Sequence, residues 1–372
     1  MNIIKVLVVE DSDMVAEILI QALESDRYIK VAGRAANGRE ALELLPRLNP
    51  DLITMDVWMP VMDGFQTVER IMATNPTPIL VVTSTNLKED VQLSLRMMAA
   101  GALDVIEKPV MSGWDMWTRQ KKELIAKARL LAGIKTYIKS SPMQSESKLA
   151  ETTPAYVTTN TEPIQLDFHS NKALVYEDYQ YQLIAIACST GGPSALLKIL
   201  TDLPSDLPIP FIVVQHISEG FTRGLVEWLN REVPLEVRVA KDGELLEPGV
   251  VLFSPDRYNI KVTQDRRVSL IAVGKVILCP NADILMQSVA ENYGNRAIGV
   301  VLTGMGDDGA KGLSAMHAAG ACTLAQDAVT SLIYGMPKAA FEAGAVSEVL
   351  PLESIAPRLN VLSKQLLRRT IL

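Results

Sequence analysis

Cysteine is scarce in this sequence: the 372 residues contain three, Cys188, Cys279 and Cys322, and each stands alone. Isolated cysteines without metal-ligand spacing argue against a disulfide framework and against a zinc site, and they fit a reducing compartment. Long apolar runs are missing too. No stretch approaches the roughly 20 residues that a spanning helix needs, and the opening "MNIIKVLVVEDS" is strand-like and lacks the layout of a cleavable signal. These absences predict a soluble cytoplasmic protein with no direct membrane insertion. Basic charge is in deficit, with 36 Lys and Arg against 43 Asp and Glu, a net charge of -7. Nothing suggests the basic stripe that a phosphate backbone demands, which argues against a nucleic-acid partner. Histidine is limited to His169, His216 and His317, so acid–base chemistry has few candidates.

What is present is a βα rhythm, twice. The first 110 residues or so alternate β-branched runs ("KVLVVED", "YIKVAGRA", "PDLITMD", "PTPILVVTS", "ALDVIEKP") with helical stretches. This predicts a parallel sheet with helices on both faces. "DMWTRQKKELIAKARLLAG" closes that unit as an amphipathic helix, with Leu124, Ala128 and Leu131 at helical spacing. A stretch rich in Ser, Thr and Pro then reads as a linker. The rhythm resumes at "YQLIAIA" and runs through "IPFIVVQ", "LEVRVA", "VVLFS", "RVSLIAV", "AIGVVLT" and "ACTLAQD". The expected organisation is a first domain over residues 1–132, a linker over 133–178 and a second domain over 179–372. Both domains are expected to be α/β, each a doubly wound parallel sheet.

In such a sheet the carboxyl ends of the strands share one edge. Glu10 and Asp11 end the first strand, Asp56 the third, Thr83 the fourth, and Lys108 the fifth. Clustered carboxylates repel unless a cation joins them, and an all-oxygen set with room for water and a phosphate oxygen suits Mg²⁺. The segments "VVEDS", "DLITMDVWMPVMDGF", "VVTS" and "EKP" resemble a two-component receiver domain, which is flavodoxin-like. The resemblance implies that Asp56 accepts a phosphoryl group from a histidine kinase, with Glu10, Asp11 and Asp56 holding Mg²⁺. It also implies that Thr83 and Lys108 contact the phosphoryl group. Val105 departs from the pattern, since receivers usually carry there an aromatic residue that rotates on activation.

In the second half, "AIACSTGGPS" places Cys188 and Ser189 at a strand-to-helix turn. Amides at a helix N-terminus can stabilise an oxyanion, and Pro193 suits a first helical turn. A serine needs a base. His216 ends the strand "FIVVQ" and so shares the sheet edge with Ser189, whereas His169 falls in the linker and His317 in a helix. Asp307 and Asp308 lie in the glycine-rich loop of "VVLTGMGDDGAKG", and spacing alone does not choose between them. The order Ser, His, Asp disfavours the α/β-hydrolases. Cys188 alternates with Ser189 along the strand, which makes it a small core residue.

The segments "STGGPSAL", "VVQHI", "FTRGL", "DGELLEPG", "LTGMGDDGAKGL", "AGACTLAQD" and "YGMPKAA" closely resemble the CheB family of chemotaxis protein-glutamate methylesterases. The resemblance implies a Rossmann-like catalytic domain with Ser189 as nucleophile, His216 as base and Asp308 as its partner, and Thr190 and Met305 lining the site. It implies hydrolysis of glutamyl methyl esters on the cytoplasmic helices of methyl-accepting chemoreceptors, with glutamine deamidation as a second activity. No cofactor is expected for the ester reaction, and a chemotaxis histidine kinase is the expected phosphoryl donor. It also implies that the receiver, once phosphorylated, relieves its own obstruction of the catalytic domain. Two segments depart from the family pattern: "CPNADIL" has Cys279 and Asn281 beside a retained Asp283, and "SPDRYNIKV" has Tyr258 or Asn259 where a histidine is common. Both are expected to line the substrate edge. Two rivals are a non-catalytic, phosphorylation-dependent receptor adaptor and a transcriptional regulator, the latter unsupported because no basic recognition helix follows.

Overall fold

The computed structural model describes residues 3–83, 88–109, 114–134, 180–273 and 280–366. Most of the stretch read as a linker, His169 within it, and Cys279 lie outside the described residues.

The first sheet has five strands, β1 (Ile4–Val9), β2 (Ile29–Ala35), β3 (Leu52–Met55), β4 (Ile79–Thr83) and β5 (Asp104–Glu107). They pair in parallel in the order β2-β1-β3-β4-β5. The intervening helices are α1 (Asp13–Glu24), α2 (Gly38–Leu48), α3 (Gly64–Thr74), α4 (Lys88–Ala100) and the closing α5 (Trp114–Leu131). Short polar residues start several of them. Ser12, Asn37 and Asp63 accept hydrogen bonds from amides of the first turns of α1, α2 and α3, and Glu40 reaches back to the Ala36 amide at 2.8 Å. Leu124, Ala128 and Leu131 of α5 are fully buried against Val6, Val8 and Leu80, as their helical spacing predicts.

The second sheet has seven parallel strands in the order β14-β13-β12-β6-β7-β9-β8. They are β6 (Leu183–Cys188), β7 (Phe211–Gln215), β8 (Glu236–Val239), β9 (Val250–Phe253), β12 (Ala297–Val301), β13 (Cys322–Gln326) and β14 (Glu348–Leu350). Burial on both faces explains the near-continuous apolar runs. In β6, Ile184, Ile186 and Cys188 join the core under α6 (Gly192–Thr201) and α7 (Thr222–Glu232). Leu183, Ala185 and Ala187 join the opposite core, under α8 (Ala282–Tyr293) and α9 (Ala310–Ala318). The remaining helices are α10 (Met336–Glu342) and α11 (Leu352–Ser363).

One expectation is corrected. "RVSLIAV" is not part of the βα rhythm: β11 (Val268–Ala272) pairs antiparallel with β10 (Tyr258–Val262) in a separate two-stranded ribbon. Its outer end is exposed at Ile271, so the run is β-branched without being a sheet centre.

The chain reverses its direction of travel across each sheet once, between β1 and β3 and between β6 and β12. Such switch points open crevices at the carboxyl ends of strands, and both groups of candidate residues sit there.

Candidate functional site

In the first domain, Glu10, Asp11 and Asp56 each present a carboxylate oxygen within 4.8 Å of one another. The Lys108 ammonium bridges Glu10 and Asp56 at 2.9 Å to each. Asp56 also accepts the Val57 amide at 2.7 Å. Thr83 is buried at the end of β4, where its carbonyl accepts the Lys108 amide at 2.7 Å. One ammonium does not neutralise this crowd. Burial, then repulsion by Asp56, pushes the Glu10 carboxyl up to about 6, and burial likewise raises Asp56 despite Lys108. The donor set therefore fits a hard divalent cation: all oxygen, net negative, and partly exposed through Asp11. Val105, in contrast, is fully buried in β5 beside Val81.

In the second domain, Ser189 leaves β6 into a turn whose Gly191 has φ +81, a left-handed conformation that favours glycine. Ser189 is held by its backbone: its amide donates to the Thr303 carbonyl at 3.0 Å, and its carbonyl accepts the Gly192 amide at 2.8 Å. His216 follows β7, and its Nε2 lies 2.8 Å from Asp308 Oδ2. Asp308 also accepts the amides of Ala282 at 2.7 Å and Asp283 at 3.0 Å, the first turn of α8. Burial alone would raise the Asp308 carboxyl, but the His216 contact and these two amides hold it below the ordinary carboxylate range. Asp307 is exposed and makes no such contact, so the geometry separates two neighbours that spacing left open. Among the described residues no hydrogen bond joins the Ser189 hydroxyl to His216, whose Nε2 is engaged by Asp308. Cys188 is fully buried with its thiol 3.0 Å from Gln215 Oε1, and burial pushes the thiol well up.

Met305 is half exposed, whereas Thr190 is buried and in contact with the first domain. The Thr190 hydroxyl donates to Asp104 at 2.8 Å. Asp104 opens β5 and is itself paired with Lys127 of α5 at 2.9 Å. Ser218, two residues past His216, donates to Glu123 of α5 at 3.2 Å. Val91 of α4 fits where α7 has no side chain: a Cβ on Gly224 would lie 2.1 Å from the Val91 side chain.

Residues of the two segments that depart from the family pattern serve as helix caps. Asn281 caps α8, accepting the Ile284 amide at 2.8 Å, and its own amide is held by Asn259 at 2.9 Å. Asp283 accepts the amides of Gly309 at 3.0 Å and Gly312 at 2.7 Å, at the start of α9. Asp283 and Asp308 thus cap each other's helices, and Asn259 and Asn281 fix the chain leading into α8. Of the departing residues described, Tyr258 is exposed. The signal for these caps was legible as Asn and Asp ahead of the helical run "ILMQSVAENY".

Comparison with known proteins gives two family matches: CheB methylesterase over residues 184–359 and response regulator receiver domain over residues 6–113. The chain is 40% identical over 362 residues to protein-glutamate methylesterase/protein-glutamine glutaminase 1 of Syntrophus aciditrophicus, covering 95% of this chain and 96% of that protein. It is 38% identical over 352 residues to protein-glutamate methylesterase/protein-glutamine glutaminase 3 of Myxococcus xanthus, covering 95% and 92%. Among solved structures, the Thermotoga maritima CheB methylesterase catalytic domain is 35% identical, with a TM-score of 0.47, covering 49% of this chain and 98% of that one.

Proposed function

Because this chain belongs to the CheB methylesterase family, with a response-regulator receiver ahead of the esterase, we propose that it hydrolyses glutamyl methyl esters of chemoreceptors. The receiver would occupy residues 1–132, the catalytic domain 179–372 and the linker 133–178. Methanol leaves and a glutamate carboxylate is restored; glutamine deamidation follows the same path with ammonia as the leaving group. Ser189 Oγ attacks the ester carbonyl and gives its proton to His216. With Nε2 engaged by Asp308, Nδ1 is the nitrogen left for that proton. Asp308 holds the ring and stabilises the imidazolium. The oxyanion would sit at the N-terminal end of α6, where the helix dipole favours negative charge, beside Thr190 and Met305. His216 then protonates the departing methoxide, and water clears the acyl-enzyme by the reverse sequence.

Asp56 is the proposed phosphoacceptor, with a chemotaxis histidine kinase as donor and a cytoplasmic setting for both. Glu10, Asp11 and Asp56 would hold Mg²⁺, which neutralises the incoming phosphoryl group, while Lys108 and Thr83 sit at hand to contact it. In the unphosphorylated chain the contacts through Asp104, Glu123 and Val91 hold the receiver against Thr190 and the loop after His216. A large receptor helix cannot approach past them. The absence of an aromatic at Val105 leaves this interface itself as the element that phosphorylation must bias.

The observation that carries the reading is the His216–Asp308 pair with two α8 amides on its carboxylate, beside a serine at the switch point. Methanol release from methylated chemoreceptor membranes tests it. Ser189→Ala should lose several powers of ten while Cys188→Ala keeps most of the rate. Turnover that survives Ser189→Ala would overturn the reading.

A further inference from the structure

Resting on the assignment of Ser189 and His216, we propose that Gln215 is a positioning residue for the reaction, its carboxamide tying the nucleophile turn to the base loop. The register of β6 and β7 ends at the pair Cys188 and Gln215. Past it the His216 amide still donates to the Cys188 carbonyl at 2.9 Å, and then the two backbones diverge, one into α6 and the other into the loop before α7. The Gln215 side chain takes over. Its Nε2 donates to the Ser189 carbonyl at 2.8 Å and to the His216 carbonyl at 2.8 Å. Its Oε1 accepts the Cys188 thiol at 3.0 Å. The residue is 4% exposed, so both donors and the acceptor are spent on the two catalytic backbones and their neighbour.

A second observation shows that the seat is built for this group. Gly192 opens α6, and a Cβ there would lie 2.1 Å from Gln215 Oε1. Only a missing side chain on the helix leaves room for the amide. The chemistry is equally selective. Two donors on one nitrogen, facing two carbonyls, require a primary carboxamide, and an ionised carboxylate of the same length would present only acceptors. An apolar replacement would fill the space but remove the donor that the Ser189 and His216 carbonyls share, leaving the Ser189 carbonyl with the Gly192 amide alone. Because the amide touches neither substrate nor reacting atoms, its effect runs through the placement of Ser189 relative to His216.

The test is the rate of labelling of the full-length protein by a fluorophosphonate, which reports nucleophile activation without needing a receptor. Gln215→Met, similar in size but without the amide, should label roughly tenfold to a hundredfold more slowly, the usual cost of a misplaced catalytic group, while its thermal midpoint stays within a few degrees. Gln215→Glu supplies a readout that a packing role would not move. A protonated carboxyl can donate one of the two bonds and the ionised form none, so its rate relative to wild type should rise as pH is lowered. Gly192→Ala keeps Gln215 but fills its seat, and should follow the methionine variant. Wild-type rates in the Met and Glu variants would overturn the proposal, as would a pH-independent loss in the Glu variant matched by a fall in thermal midpoint. Labelling of Ser189→Ala at the wild-type rate would instead show that the nucleophile itself is misassigned.

Discussion

The two halves of this molecule each bury aspartates at the switch point of a parallel sheet, and they treat them in opposite ways. In the receiver, Asp56 and Glu10 face each other with one ammonium between them, and burial raises both carboxyls. In the catalytic domain, Asp308 is about as buried, yet two backbone amides and an imidazole hold it below the ordinary range. The difference is the source of compensation. Helix α8 brings fixed dipoles to Asp308 as part of the fold, so its charge is always wanted. The receiver cluster has no such fixed dipoles beyond the Val57 amide, so a cation from outside would have to complete its compensation. An enzyme needs the first arrangement and a switch needs the second.

The strongest way to break this contrast is Asp308→Asn. The amide cannot accept two amides and stabilise an imidazolium, and turnover should fall by about 10⁴, read as methanol release. Asp307→Asn, exposed and uninvolved, should stay near wild type. Equal losses in folded variants would remove the distinction between the two aspartates.

A smaller effect is expected where the two regions meet. Asp104→Ala deletes the acceptor held by Thr190 and Lys127, and one charge-assisted hydrogen bond is worth about 1.5–3 kcal/mol. Unphosphorylated full-length protein should then demethylate receptor roughly tenfold faster. Beryllofluoride should raise the wild-type rate, do little more for Asp104→Ala, and have no effect on Asp56→Asn. An unchanged basal rate in Asp104→Ala would show that this contact does not hold the gate.

The mildest test uses pH. Glu10 has its folded value raised from 4.5 to about 6, so its contribution to receiver stability is highest below 4.5, declines as pH rises to about 6, and is level above. Asp308 is lowered from 3.8, so its contribution is complete above that value and is lost as pH falls through the folded value. On acidification from neutrality the receiver should therefore gain stability from Glu10 over a window in which the Asp308 contribution is unchanged. Differential melting of the two transitions reads this directly. Because Mg²⁺ needs ionised carboxylates, its affinity by calorimetry should drop about tenfold from pH 7 to pH 5. A flat affinity would mean that Glu10 is not a ligand.

The strand edges were legible in the sequence because a parallel α/β domain writes its strands as apolar runs and its functional residues immediately after them: Glu10, Asp56, Lys108, Ser189 and His216 could all be assigned to sheet edges from local pattern alone. Cys188 could be set aside for the same reason, since alternation along β6 decides its face. The roles of Asp308 and Thr190 were not written locally. Asp307 and Asp308 share one loop, and only the approach of α8 from 25 residues away, between Asp283 and Asp308, selects the second. The capping by Asn281 and Asp283, the bridging amide of Gln215 and the Val91 seat at Gly224 depend on which helix ends and faces meet. A hydrogen bond to a backbone group places no demand on the partner's residue type, so the sequence of the partner carries no trace of it. Periodicity, turn chemistry and residue type therefore determined the two sheets and the reacting groups at their edges. The electrostatic state of those groups, and the contact that lets one domain cover the other, were decided only when distant helices closed on them.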